Sequence, residues 1–252
     1  VQKEYLRNQV LKAKNNTALE VGVRTKNFNQ WVSSQDIWIS DELLLNSSKE
    51  IDMDNFKDYY GYVGVDLSAV SDITALSVMI PYNDKYIFKT YYYLPQTCLA
   101  NNSNCELYKK WAKQGYLRIT AGNVVDYDYI KTDLQKVSST VLISKVAYDS
   151  YNATQWAISC TEAGLPLEPF SQALWNFNRA TKEFERLIKQ GKIIIDNNEI
   201  TRWMFRNVAL KYDHNDNVKP VKNSDMQKID GVIAMLEALG IYLNVPHYDV
   251  GL

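Results

Sequence analysis

The hydrophobic rhythm of the chain changes near residue 60. Three apolar runs follow one another there, Tyr60 to Leu67, Ile73 to Ile80 and Tyr86 to Tyr93, with Pro81-Tyr-Asn-Asp84 as a turn between the last two. Runs rich in β-branched and aromatic residues and bounded by turn residues read as strands, and connections this short make neighbours antiparallel. Helical periodicity then takes over at about Cys105 to Gln114 and Tyr127 to Ser138, before a buried strand over Leu142 to Tyr148 and a helix from about Asn152 to Ala163 that Gly164 stops. A strand at Leu167 to Phe170 precedes a helix over Asn178 to Gln190, in which Phe184, Leu187 and Ile188 share a face and Gly191 ends the run. In the last helix Ser224 with Gln227 fits a capping box, and Ile229, Val232, Ile233, Leu236 and Leu239 keep helical spacing up to Gly240, which sets Asp230 near the second turn. Strands followed by alternating helices and strands predict an α/β fold with a mixed sheet flanked by helices. There is no internal repeat or low-complexity tract.

Residues 1–54 follow a different pattern. Asn- and Lys-rich helical material leads to Trp38-Ile-Ser-Asp-Glu-Leu-Leu-Leu45 and then to the polar stretch Asn46-Ser-Ser-Lys-Glu50. Ser40 ahead of acidic first-turn residues and an apolar run predicts a short helix. The expected organisation is an arm or linker over 1–54 and one α/β domain over 55–252.

With 252 residues, 46% of them hydrophobic, the chain is long enough to bury a real core. Its 28 Lys plus Arg against 29 Asp plus Glu leave a formal net charge of -1, so any case for a nucleic-acid partner has to be local. The apolar runs fall far short of the roughly 20 residues that span a bilayer, and Val1 to Gln9 show no secretory pattern; a soluble protein with no membrane partner is expected. Cys98, Cys105 and Cys160 form no CxxC pair, which fits a reducing cytoplasm. With His214 and His247 as the only histidines, zinc and His-dependent nucleophilic chemistry are poorly supplied. Carboxylates are the reactive groups left in quantity.

Three aspartates stand where a buried segment ends or turns: Asp66 in Tyr62-Val-Gly-Val-Asp-Leu-Ser68, Asp149 in Val146-Ala-Tyr-Asp-Ser150, and Asp230 in Lys228-Ile-Asp-Gly-Val-Ile-Ala234. A carboxylate at the end of an apolar strand must be hydrated, paired with a cation or bound to a metal. Period-2 geometry puts Tyr62, Gly64 and Asp66 on one strand face, and Gly64 is expected to leave open space beside the acid. The plainer alternatives are turn formation for Asp66 and Asp72, an N-cap of the following helix for Asp149, and an ion pair with Lys or Arg for Asp230. Acids that converge repel one another and need cations. Two divalent ions roughly 4 Å apart would activate water and stabilise a leaving 3′ oxygen in phosphodiester hydrolysis. Oxygen-only ligands favour Mg²⁺ or Mn²⁺ over Zn²⁺. No GxxxxGK[ST] phosphate loop occurs in the chain.

Gly64-Val-Asp-Leu-Ser68 with Asp72-Ile-Thr-Ala-Leu76, Tyr148-Asp-Ser-Tyr-Asn152, Ala180-Thr-Lys-Glu-Phe-Glu-Arg186 with Gly191-Lys192, Trp203 followed by Asn207-Val208, and Lys228-Ile-Asp-Gly-Val-Ile-Ala234 occur in this order over about residues 60–240. Together they resemble the C-terminal nuclease domain of the large terminase subunit of tailed bacteriophages. The resemblance implies a ribonuclease H-like fold in which Asp66, Asp149 and Asp230 match the acidic metal-binding triad, with two Mg²⁺ or Mn²⁺ ions as cofactors. It implies an endonuclease that cuts concatemeric viral DNA during genome packaging, acting in the cytoplasm of the infected host. The implied partners are double-stranded DNA, an N-terminal ATPase motor of the same subunit, the small terminase subunit and the portal. A chain that begins at Val1 without a start Met or motor motif looks like an excised C-terminal piece, residues 1–54 being the end of the motor and the linker. Many relatives carry a His after the Gly-Lys of the third of these segments, where this chain has Ile193-Ile-Ile195, so no role of that His transfers.

Within the triad Asp66 is the expected bridging ligand, with Asp149 and Asp230 flanking it. Asp72 and Asp225 are candidate auxiliary acids and Ser68 a candidate hydrogen bonder behind the ligands. From Ser171 to Ile229 there are 11 Lys plus Arg against 7 Asp plus Glu, a local basic excess. Candidate phosphate contacts are Arg179, Lys182, Arg186, Arg202, Arg206, Lys219, Lys222 and Lys228, with Lys222 and Lys228 preferred for their closeness to the third Asp. Competing readings are a transposase- or resolvase-like nuclease of the same broad fold, a non-catalytic DNA-binding or protein-docking module, and an actin-like ATPase, which wants Gly-rich segments that 10 glycines do not supply.

Overall fold

The structure is a computed structural model and describes residues 3–15, 37–67, 72–151, 153–222 and 227–245. Ser68, Ser224 and Asp225 lie outside the described residues. The chain divides into a compact unit over Val1–Trp38, which contains helix α1 (Lys3–Asn15), and a larger one over Ile39–Leu252. No helix among the described residues is long and apolar enough to cross a membrane.

The larger unit opens with α2 (Asp41–Ser47), whose first turn is closed by Ser40 Oγ accepting the Leu43 N–H at 3.3 Å, as its capping sequence predicts. It runs into β1 (Ser48–Lys49), and a 3-10 turn precedes β2 (Tyr60–Asp66). β2, β3 (Thr74–Tyr82) and β4 (Lys85–Pro95) form the expected antiparallel meander. Its second turn is only Asn83-Asp84, because β3 continues through Pro81; Asn83 takes a left-handed φ of 54°. Pro81 is tolerated there because pairing with β2 ends at Met79, so its missing N–H breaks no ladder bond.

After β4 come α3 (Cys98–Asn101), α4 (Cys105–Lys113), β5 (Leu117–Thr120), α5 (Tyr127–Ser138), β6 (Leu142–Tyr148), α6 (Thr154–Glu162), β7 (Leu167–Pro169), α7 (Leu174–Lys189), β8 (Ile193–Asp196), α8 (Glu199–Arg206), the hairpin of β9 (Val208–Tyr212) and β10 (Val218–Lys222), and α9 (Asp230–Asn244). The main sheet has the order β1-β8-β4-β3-β2-β6-β7, with β5 also beside β4. β6 lies parallel to β2 and β7 parallel to β6, while β5 and β8 both lie parallel to β4. This is the mixed α/β sheet expected from the order of elements. The short strands β5 and β8, helix α8 and the β9–β10 hairpin are additions to that expectation.

Alternation along β2 divides the core. Val63 and Val65 face one side, where Ile130, Leu134 and Val137 of α5 and Trp156 and Cys160 of α6 pack against Leu76, Val78 and Val146. The other side is covered by α9, with α7 and α8 beside it. Every residue of α9 from Gly231 to Ile241 is buried, as befits a helix that is apolar nearly all round and serves as core rather than surface.

The seat of α9 on the sheet is unusually close. A Cβ on Gly64 would stand 2.0 Å from Ala234 O and 2.7 Å from Ala238 N, both backbone atoms that cannot swing aside. The open space expected beside Asp66 is therefore absent: the volume that Gly64 leaves is filled by the helix itself. Gly64→Ala is expected to lower the melting temperature by about 5–10 °C in a thermal scan, given that overpacking costs about 1–3 kcal/mol and each is worth about 2–4 °C in a chain of this size. A variant that melts with the native chain would show that the helix can back away from the strand.

Candidate metal centre

The meeting of β2, β6 and α9 puts three acids at one edge of the sheet. Asp66 is the last residue of β2, and the parallel register that sets Val65 beside Tyr148 makes Asp66 and Asp149 leave neighbouring strands side by side. Asp149 does not cap α6, which begins at Thr154 with Ala153 at its cap position; its Oδ1 accepts the Tyr151 N–H at 3.1 Å in a local turn. Asp230 is the first residue of α9, not part of a second turn. The helix begins late because Ile229 is off helical geometry, and the Val232 and Ile233 N–H groups close the first turn on its carbonyl at 2.8 and 3.0 Å. An acid in that first turn lies at the positive end of the helix. At its other end α9 runs past Gly240 to Asn244, Gly240 giving room to the Phe170 ring.

Asp72 is drawn in by Lys228, whose Nζ donates to Asp72 Oδ2 at 2.7 Å. Lys228 also acts on Asp230, whose Oδ2 is buried without a hydrogen-bond partner. Gly231 keeps the helix start tight, since a Cβ there would lie 2.4 Å from Tyr92 Oη.

Two residues that the sequence reading passed over complete the arrangement. Glu237 sits on α9 seven positions after Asp230, which is about two turns and the same face. It is fully buried, and its Oε2 has no hydrogen-bond partner. Gln172, just before α7, donates from Nε2 to Glu237 Oε1 at 3.3 Å, and its side chain favours the charged form of Asp66. The signal for Glu237 was present, an acid amid Ala234-Met-Leu-Glu-Ala-Leu239, the place where helical periodicity asks for an apolar residue. Nothing in the sequence marks Gln172.

The electrostatics follow from this crowding. Burial first, then the charges of Asp149 and Asp72, raise Asp66 from its ordinary 3.8 to about 7, against the Gln172 hydrogen bond and Lys222. Asp230 is pushed well above the usual carboxylate range by burial, Asp72 and Asp66. Glu237 is pushed up by burial, then by Asp66 and Asp149. Asp66 and Asp230 each keep some surface open to water, whereas Glu237 has none. The acids are electrostatic neighbours rather than a closed coordination shell, and among the described residues no three are spaced to hold one ion as they stand. Their chemistry nonetheless suits a hard divalent cation: every donor is oxygen, and two buried carboxylate oxygens lack partners.

The basic residues sort differently. Lys222, at the end of β10, acts on Asp66, and Lys228 holds Asp72. Arg179 is not near the acids: its Nη1 donates to Leu243 O at 2.8 Å and closes the carboxyl end of α9, about 20 Å of helix from Asp230. Lys182 binds Asp216 O at 2.9 Å in the turn of the β9–β10 hairpin. The same hairpin is held by Asn178 Oδ1 accepting the Val218 N–H at 3.1 Å and by Lys219 Nζ donating to Gln172 O at 3.1 Å. Arg186 pairs with Glu183 on its own helix, and Arg206 with Asp41.

A raised acid makes the metal-free protein sensitive to pH in a defined direction. The unfolded chain releases the Asp66 proton near 3.8 and the folded chain only near 7, so stability falls as pH rises between these values and levels off above them. Asp66→Asn removes this loss. In melting curves taken with EDTA its advantage over the native chain is expected to widen from pH 4 to pH 7 to about 5 °C or more, at about 2–4 °C per kcal/mol. A constant offset across that range would show that Asp66 is not the group being titrated.

A family model described as the terminase large subunit, endonuclease domain, matches residues 2–245. Protein YmfN of Escherichia coli K12 is 28% identical over 95% of this chain and 56% of its own length. The large terminase subunit of Enterobacteria phage HK97 is 26% identical over 92% of this chain and 46% of its own. The chain thus spans about half the length of the curated relatives it matches. The crystal structure of the HK97 large terminase covers 96% of this chain, and 51% of that one is covered in turn, with a TM-score of 0.73 at 24% identity. That of the large terminase nuclease from thermophilic phage G20c covers 72% of this chain and is itself 81% covered, with a TM-score of 0.50 at 13% identity. The sheet is the ribonuclease H-like sheet of these nucleases, and the chain belongs to the family of terminase large subunit endonuclease domains.

Proposed function

We propose that this chain is a metal-dependent endodeoxyribonuclease that cuts concatemeric viral DNA during genome packaging. The observation that carries the reading is the gathering of Asp66, Asp149 and Asp230 at two strand ends and a helix start, where burial and neighbouring acids push Asp66 and Asp230 up and one Asp230 oxygen has no hydrogen-bond partner. Asp66 would be the ligand shared by two Mg²⁺ or Mn²⁺ ions, with Asp149 and Asp230 as the flanking ligands. When bound, such ions activate water and offset charge on the leaving 3′ oxygen.

The chain's own residues set the stage for that step. Lys228 pairs with Asp72 and offsets part of the charge that Asp72 adds to the centre. Lys222 stands where it meets both Asp66 and a phosphate entering beside it. Contacts of this kind read the backbone and not the bases, so cutting has little sequence preference of its own and partners direct it. In the full-length protein the partners are an ATPase motor that precedes this domain in the same subunit, with residues 1–54 as its end and the linker, together with the small terminase subunit and the portal. The site of action is the cytoplasm of the infected host.

Plasmid cleavage tests the reading. Nicking or linearisation is expected with Mn²⁺ or Mg²⁺ and not with EDTA. Asp66→Asn and Asp230→Asn are expected to lose about 100-fold or more, since even changes behind the ligands of a metal site cost up to about 100-fold. Cleavage that persists in EDTA, or in both folded variants, would remove the metal-nuclease assignment.

A further inference from the structure

Glu237 presents an energetic problem that the three-aspartate reading leaves unsolved. A carboxyl group at full burial needs partners for both oxygens, and leaving one unmet costs about 1–3 kcal/mol. Here Oε1 has a long amide bond at 3.3 Å and the Val65 backbone favours the charged form, yet Oε2 has no hydrogen-bond partner. The flanking positions, Met235, Leu236, Ala238 and Leu239, are wholly buried hydrophobic groups, so a leucine would continue the pattern without this cost. Packing therefore gives no reason for the acid.

Its surroundings give one. The Glu237 Cβ stands 2.8 Å from where a Gly64 Cβ would be, so the stem of the acid lies against β2 at Gly64. Asp66 is two residues further along the same face of β2. Gln172 acts on both acids: its Nε2 reaches Glu237 Oε1 at 3.3 Å, and its side chain favours the charged form of Asp66. An amide donor pinned from behind by one carboxylate holds its other bond in a fixed direction, which is how groups behind a metal site orient the ligands in front.

We propose that Glu237 is a positioning residue of the metal centre, acting through Gln172 to set the orientation of the Asp66 carboxylate. The inference rests on the metal-nuclease reading and adds to it the part of α9 that lies beneath the ligands. Glu237 accepts a hydrogen bond in this role; the ligand that touches the ion is Asp66.

Calorimetric titration of the whole chain with Mn²⁺, alongside melting temperatures in EDTA, tests the proposal without relying on cleavage. Glu237→Leu is expected to melt at or above the native temperature while binding Mn²⁺ about tenfold more weakly, within the 10–100-fold range for groups behind a metal site. Gln172→Leu should show the same loss, and the double variant no further loss, because the two act as one unit. Glu237→Gln, which retains an accepting oxygen, should bind close to the native level. Unchanged affinity in Glu237→Leu, additive losses in the double variant, or a Gln variant as weak as the Leu variant would each overturn the proposal. If Glu237→Leu does not fold, Glu237→Met takes its place with the same expectations. A native chain that binds no Mn²⁺ would overturn the metal centre itself, whereas native binding with an unaffected Glu237→Leu would remove only the role of Glu237.

Discussion

The backbone contact between α9 and β2 at Gly64 is the constraint on which the other features rest. Van der Waals packing normally keeps a helix about 10 Å from a sheet, with side chains between. Here the missing side chain lets the main chain of Ala234 and Ala238 rest on the strand itself. A helix seated that low carries its first residue down to the strand ends, which is why Asp230 joins Asp66 and Asp149. It also sets the stem of Glu237 against β2. Gly231 and Gly240 repeat the device at either end, against Tyr92 and Phe170. Three points of close approach fix the height, tilt and register of the helix, and with them the spacing of the acids.

Such packing works against electrostatics. Asp66, Asp230 and Glu237 lie in a region poor in water, and the charges of Asp66, Asp72 and Asp149 add to the cost of ionising them. The fold offsets part of this with Lys228 on Asp72, Lys222 beside Asp66 and the Gln172 amide. These leave buried oxygens of Asp230 and Glu237 unmet. Such oxygens lower stability, a departure from ideal packing of the kind that functional sites carry.

The fold was legible where a long segment had one dominant pattern. Tyr127–Ser138 and Leu142–Tyr148 came out with the same limits in sequence and structure, and the meander differed only in strand ends. The misses have local causes. β5 and β8 are four residues each, too short for a period to show, and take their strand character from pairing with β4. The start of α9 was misread because Ile229 fits the apolar spacing of a helix while its backbone does not. Asp66, Asp149 and Asp230 could be picked out because each breaks an apolar run. Gln172 could not, since an amide in a loop carries no pattern, and that Arg179 closes the far end of α9 could not be read either, because charge along a sequence does not say which carbonyl it will meet.

The β9–β10 hairpin is bound to α7 and its approach by Lys182 at the turn, Asn178 at the start of β10 and Lys219 at the Gln172 carbonyl. The ribbon is thus anchored at its turn, at the start of its second strand and midway along it, so its position is set by α7 and by the segment ahead of α7 rather than by its own two strands.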